Sequence, residues 1–328
     1  MPEHPTEFIL EGGELSETQA RELEKQVLSE PQNLELRLKL VGFYFTRRRY
    51  DPVYAKLAQP HLLWFIRNRP KSTEFATPYF MIFQDAHPEF FAEGKEAWLE
   101  QISRYPTDPR VMANAASYFA LNEPKRAREL LELACQLEPE NSEWGWELAN
   151  QIVRDVRPSS RDEYLEANRQ ALALYEKVLA RSAGLIRFYR LPTVARTALK
   201  AHQDDRAKAY AEELLSVSTG YREDWNYGNA LYDANVVLGH LALKNGEVEE
   251  AETYLLAAGD SPGSPQLDTF GPDLRLADQM LAKGRDKAVI VFLERIAKFW
   301  NDHQEEIEEW IVTIRNGKSP SWAQYIRW

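Results

Sequence analysis

The side chains best suited to chemistry in this 328-residue chain are one cysteine, six histidines and a Gly-Lys-Ser string. Zinc bound on a helix needs two imidazoles at i and i+4, so that both project from one face. His4, His61, His87, His202, His240 and His303 contain no such pair. His303 stands near Asp302, Glu305 and Glu306, a cluster that reads as a solvated helix face. Asn316-Gly317-Lys318-Ser319 has the end of a phosphate-binding loop, but Val312 occupies the place of the loop's first glycine and no strand pattern precedes it. Gly317 therefore reads as a helix stop. Cys135, between Ala134 and Leu137 on an apolar face, reads as a structural thiol. No metal, cofactor or catalytic constellation is expected, and the chain reads as non-enzymatic.

Composition narrows the class further. Fifty-one acids against forty bases give a net charge of −11, which opposes bulk attraction to nucleic acid or an anionic membrane. Arg47-Arg48-Arg49 before Tyr50, and Arg67 with Arg69 and Lys71, are locally basic but are explained as solubilising turns. A single Cys cannot staple a secreted scaffold, the N-terminus lacks a secretory apolar region, and no run is long enough for a membrane span. A cytoplasmic protein is expected.

Positioning falls to helices. Leu34, Leu38, Val41 and Phe45, then Leu130, Leu131, Ala134 and Leu137, recur at three- and four-residue steps, as do Leu172, Tyr175 and Leu179. Between such runs stand Glu30-Pro31, Arg69-Pro70, Tyr105-Pro106, Glu138-Pro139, Asn245-Gly246 and Lys283-Gly284, each predicting a helix end. About fourteen helices and no sheet are expected. Small residues recur across helix pairs: Gly239, Ala251 and Ala258; Ala116, Ala127 and Ala134; Ala195, Ala207 and Ala211; Gly42 near the start. A spacing in the thirties indicates a helical-hairpin repeat.

These residues resemble the tetratricopeptide repeat, strongest from Leu238-Gly239 to Ala258 and from Met112 to Asn141. The resemblance implies an all-α, right-handed α-solenoid of about seven helical hairpins, with residues 33–300 as the array. Residues 1–32 would form an N-terminal segment and capping helix, and 301–328 a C-terminal capping helix with a Trp-rich tail. In that tail Trp322 and Trp328 are expected to fold back over the last repeat, insertion into another subunit being the alternative. The stretch from Gly259 to Asp273 is expected to be an inter-repeat loop, with Pro272 opening the next helix and Asp273 favouring its N-terminus; a partner-contacting loop is the alternative. Residues 75–105 lack the small-residue signature.

The family layout also places a groove wall on the first helix of each pair. Transferred here, it implies Lys39 and Phe43, then Arg110, Asn114 and Ser117, then Trp146 with Asn150 and Glu147, then Arg196 and Lys200, then Asp233, His240 and Lys244. Trp144 and Trp146 diverge by about 100° on a helix, so one ring is expected in the core and Trp146 at the groove. A wall rich in cations implies a non-enzymatic adaptor for a protein or peptide, through an acidic segment or a C-terminus. Phe43 stands where the family's carboxylate clamp has Asn, so a chaperone-tail clamp is not expected. A regulatory sensor that binds a small peptide or metabolite is the alternative. Oligomeric state is left open.

Overall fold

The computed structural model describes residues 5–82, 84, 86–155 and 160–326. Among these the chain is all-α: seventeen α-helices and four short 3-10 turns, with no strand. Successive helices pack on one another as a helical-repeat array, within two compact units that divide after Asp155.

The first unit contains α1 (Thr6–Gly13), α2 (Glu17–Ser29), α3 (Leu34–Arg47), α4 (Val53–Asn68), α5 (Pro88–Arg104), α6 (Pro109–Phe119), α7 (Pro124–Leu137) and α8 (Ser142–Asp155). Helix starts follow local chemistry. Ser16 and Gln19 close a reciprocal capping box on α2, while Asn33 and Asp108 side chains accept the Leu36 and Val111 backbone N–H groups. Gly42 is small for a specific reason: a Cβ there would lie 1.9 Å from the Ile9 carbonyl oxygen, because α1 crosses directly over α3. Gly12 meets the Lys39 carbonyl in the same way. Residues 75–105 supply a single α-helix, α5, preceded by 3-10 turns at Thr73–Ala76 and Pro78–Phe80, so this stretch is not a helical hairpin.

The second unit contains α9 (Arg161–Leu179), α10 (Gly184–Lys200), α11 (Asp204–Ser218), α12 (Tyr227–Asn245), α13 (Val248–Gly259), α14 (Pro265–Phe270), α15 (Arg275–Ala282), α16 (Asp286–Ile296) and α17 (Gln304–Arg315). The hairpins α10–α11, α12–α13 and α15–α16 have turns of two or three residues, which forces antiparallel neighbours. Gly246 closes α12 with φ 84°, a left-handed conformation that favours glycine. Ala195, Ala207, Ala211, Ala251 and Ala258 are all buried, as close helix approach requires. All six Pro and Gly punctuators fall at helix ends. Pro60 and Pro192 do not; each lies inside a helix.

The Gly259–Asp273 stretch is braced internally. Ser261 Oγ donates to the Gly228 carbonyl at 2.8 Å, Ser264 Oγ donates to Asn229 Oδ1 at 2.7 Å, and Ser264 caps α14. Pro272 does not open the next helix. α15 begins at Arg275, whose N–H is accepted by Asp273 Oδ1, while Pro265 takes the first-turn position of α14. The tail packs back on its own unit. Trp322 is 2% exposed, its indole N–H donates to Asp278 Oδ1, and its ring meets Trp310 edge-on. The Leu274 N–H donates to the Tyr325 carbonyl. Trp322 is therefore not available for insertion elsewhere; Trp328 lies outside the described residues.

Candidate functional site: a cationic cavity in the second unit

Of the wall residues implied in the first unit, two are interior. Phe43 is 2% exposed and packs edge-on against Tyr44 and Tyr54, with the Arg47 guanidinium over its ring. Asn114 is 3% exposed and donates both amide hydrogens to the backbone, at 2.8 Å to the Pro70 and Ser72 carbonyls. The physical reason is the irregular chain after α4, whose carbonyls have no helix to satisfy them and use Asn114 instead. Neither side chain is exposed. Lys39 is held between Glu35 and Glu11, at 2.6 and 3.0 Å, and Arg110 pairs with Glu143 at 3.1 Å while stacking on Trp144. Ser117 returns its hydroxyl to the Ala113 carbonyl. Trp144 is buried; Trp146 and Asn150 are half-buried on α8.

The basic turns are also engaged. Arg47 donates to the Gly13 and Leu15 carbonyls and Arg48 to the Met81 carbonyl, while Arg67 and Lys71 pair with Glu93 and Asp108. Cys135 is half-buried, and burial with the nearby Glu132 charge pushes its thiol pKa up, away from nucleophilic character.

One polar cluster in this unit has no signature in the spacing. His61 on α4 lies 3.3 Å from Arg37 Nη1 through Nδ1 and 2.9 Å from Glu24 Oε1 through Nε2. Arginine only donates, so Nδ1 accepts and Nε2–H donates to Glu24. Tyr44 donates to the same carboxylate. Burial opposes the Glu24 charge, but the hydrogen bonds from His61 and Tyr44 and the Arg37 charge prevail and lower its pKa. This cluster ties α2, α3 and α4 together. Its four members come from three helices, so only the tertiary fold reveals it.

The second unit brings three of the implied residues to one place. Lys200 at the end of α10, and His240 and Lys244 on α12, line a cavity of about 530 Å³. Tyr164, His202, Arg275, Gln279 and Lys283 complete its polar lining, with Leu199, Leu243 and Ala282 as the apolar part. Its wall is thus built by α10, α12 and α15, the first helices of three successive hairpins, together with α9. No carboxylate is among the lining residues.

Acids stand around it. Arg196 donates to Asp233 Oδ1 at 3.1 Å, and Lys244 pairs with Asp204. Burial raises the Asp233 pKa even against the Arg196 charge. Burial, reinforced by Arg196, lowers the Lys200 pKa. His240 Nδ1 lies 3.0 Å from Gln279 Oε1, and burial pushes the imidazole down to about 4, so it is neutral at physiological pH. The acceptor at Gln279 assigns the proton to Nδ1. Among the described residues, neither Arg275 nor Lys283 forms an ion pair.

The sequence approach reached Lys200, His240 and Lys244 through the repeat layout. It missed Arg275, Gln279 and Lys283, because the misplaced start of α15 hid the register of that helix. Tyr164 was missed because α9 was not assigned to any wall. Chemically, the cavity offers one guanidinium, three ammonium groups, a phenol and an amide to an anion. Among the described residues, no three His, Cys, Asp or Glu side chains are grouped to hold a metal ion, and no helix is long and apolar enough to cross a membrane. No protein-family model and no characterised protein sequence matches the chain.

Proposed function

We propose that this is a tetratricopeptide-like binding protein, non-catalytic and cytoplasmic, whose second unit seats an acidic segment or C-terminus of a partner protein. One observation carries this reading: a cavity without a lining carboxylate gathers Lys200, Lys244, Arg275 and Lys283 in a chain of net charge −11. Cations concentrated in a concave wall attract and orient anions, and the surrounding negative surface repels them elsewhere. Helices packed on both sides fix the wall before binding, so the partner bears most of the ordering cost.

A second reading has its own support. A volume of about 530 Å³ lies within the range of small-molecule sites, which favours a sensor that binds a short peptide or metabolite. The experiment is affinity capture from lysate by the wild-type protein and by an Arg275→Glu, Lys283→Glu double variant, with thermal unfolding measured on both. A stoichiometric protein lost in the variant supports the adaptor, and a retained small molecule lost in the variant supports the sensor. Capture that is identical in an equally folded variant refutes both.

A further inference from the structure

We propose that the group seated in this cavity is a phosphate monoester dianion, gripped by Arg275 and Lys283 with Lys200 and Lys244; this rests on the cavity being the anion site. The argument starts from charge. Lys244 is paired with Asp204, and Arg196 beside the wall with Asp233. Two of the cavity's cations, Arg275 and Lys283, form no ion pair among the described residues. Two positive charges on this wall thus stand without a carboxylate partner. A single carboxylate cancels one of them, whereas a phosphate monoester carries about −1.5 to −2 near neutral pH.

Donor geometry points the same way. Arg275 offers a planar fork suited to two phosphate oxygens, and lysines act as point charges on a third. The Tyr164 hydroxyl and the Gln279 amide add neutral donors on the same wall. Asp233 is fixed against Arg196 on the α10–α12 side and does not line the cavity, so it does not compete for the lysines at contact distance. The volume exceeds what one phosphate group fills, leaving room for the side chain or small molecule that bears it. A phosphorylated segment and a small phosphorylated molecule share this chemistry.

The test is isothermal titration of the full-length protein at low salt with phenyl phosphate and, as a dicarboxylate probe, glutarate. Phenyl phosphate should bind about tenfold more tightly than glutarate. Lys283→Met, an exposed position that leaves packing intact, should weaken phenyl phosphate about fivefold, Arg275→Met about tenfold, and Lys125→Met on the other unit not at all. Glutarate binding as tightly, no phenyl phosphate binding, or an unchanged affinity in Lys283→Met would overturn the proposal. Failure here remains distinct from failure of the anion site. If the captured partner is still lost in the charge-reversed variant while phenyl phosphate does not bind, the dianion falls and the site stands. If binding is found, native mass spectrometry separates the sources: a small retained phosphate ester, or a protein whose capture phosphatase abolishes.

Discussion

Arg196 and Asp233 form a 3.1 Å ion pair between α10 and α12, and this pair converts one of the implied groove cations into a neutral strut beside the cavity. Lys200 lies within reach of both charges, disfavoured by Arg196 and favoured by Asp233. The wall is therefore not a uniform basic stripe. Its free positive charge is concentrated toward α15.

Asp233→Asn should tighten anion binding. Removing a carboxylate that acts on Lys200 strengthens the field at the cavity by about 1 kcal/mol, close to fivefold in affinity. The substitution also takes the 3.1 Å partner from Arg196, so it should cost some stability, which thermal unfolding of the variant measures alongside. Titration of the variant with an anionic probe checks this; equal or weaker affinity would show that Asp233 does not act on the site.

His240 sets a pH dependence of stability whose sign is fixed. Its folded-state pKa of about 4 lies below the ordinary value of 6.5, so the unfolded chain binds the proton first as pH falls. Its contribution is complete above pH 6.5, declines between 6.5 and about 4, and amounts to about 2 kcal/mol lost by pH 5. Urea unfolding at pH 7 and pH 5 should show a smaller difference for His240→Gln than for the wild type. Equal differences would place the imidazole in water.

Trp322→Ala should destabilise the second unit by about 3–5 kcal/mol, since it empties a site against Trp310 and strips Asp278 of its indole donor. Trp322→Phe should cost less, keeping the ring and losing one hydrogen bond of about 1 kcal/mol. Thermal unfolding of both variants checks the order; no effect in either would mean that the tail does not cap the unit.

Gly42→Ala should release α1. The added methyl would overlap the Ile9 carbonyl, and the overlap costs about 1–3 kcal/mol or forces the helix off. Hydrogen exchange at Ile9 and Gly12 should accelerate selectively. Wild-type protection there would contradict the observed crossing of α1 and α3.

Much of the fold was legible because its signals are local. Pro after Glu30, Arg69, Tyr105 and Glu138 stops a helix whatever surrounds it, and Ala at 195, 207, 211, 251 and 258 marks where helices touch. The site was legible only in part. Lys200, His240 and Lys244 follow from a repeat layout, but Asn114 serves carbonyls of an irregular segment that no periodicity describes. Phe43 sits at a wall position in the layout yet is covered by Tyr44, Tyr54 and Arg47. Arg275 is hidden in the sequence because α15 begins three residues after Pro272, with Asp273 Oδ1 accepting the Arg275 N–H. The Glu24–His61–Arg37 cluster is tertiary throughout.

The most direct test of the central claim is hydrogen-exchange mass spectrometry of the full-length protein with and without its captured partner. The cavity predicts added protection at residues 199–202, 240–244 and 275–283, with α3, α6 and α8 unchanged. Protection confined to α3, α6 and α8, with none on α10, α12 and α15, would contradict it.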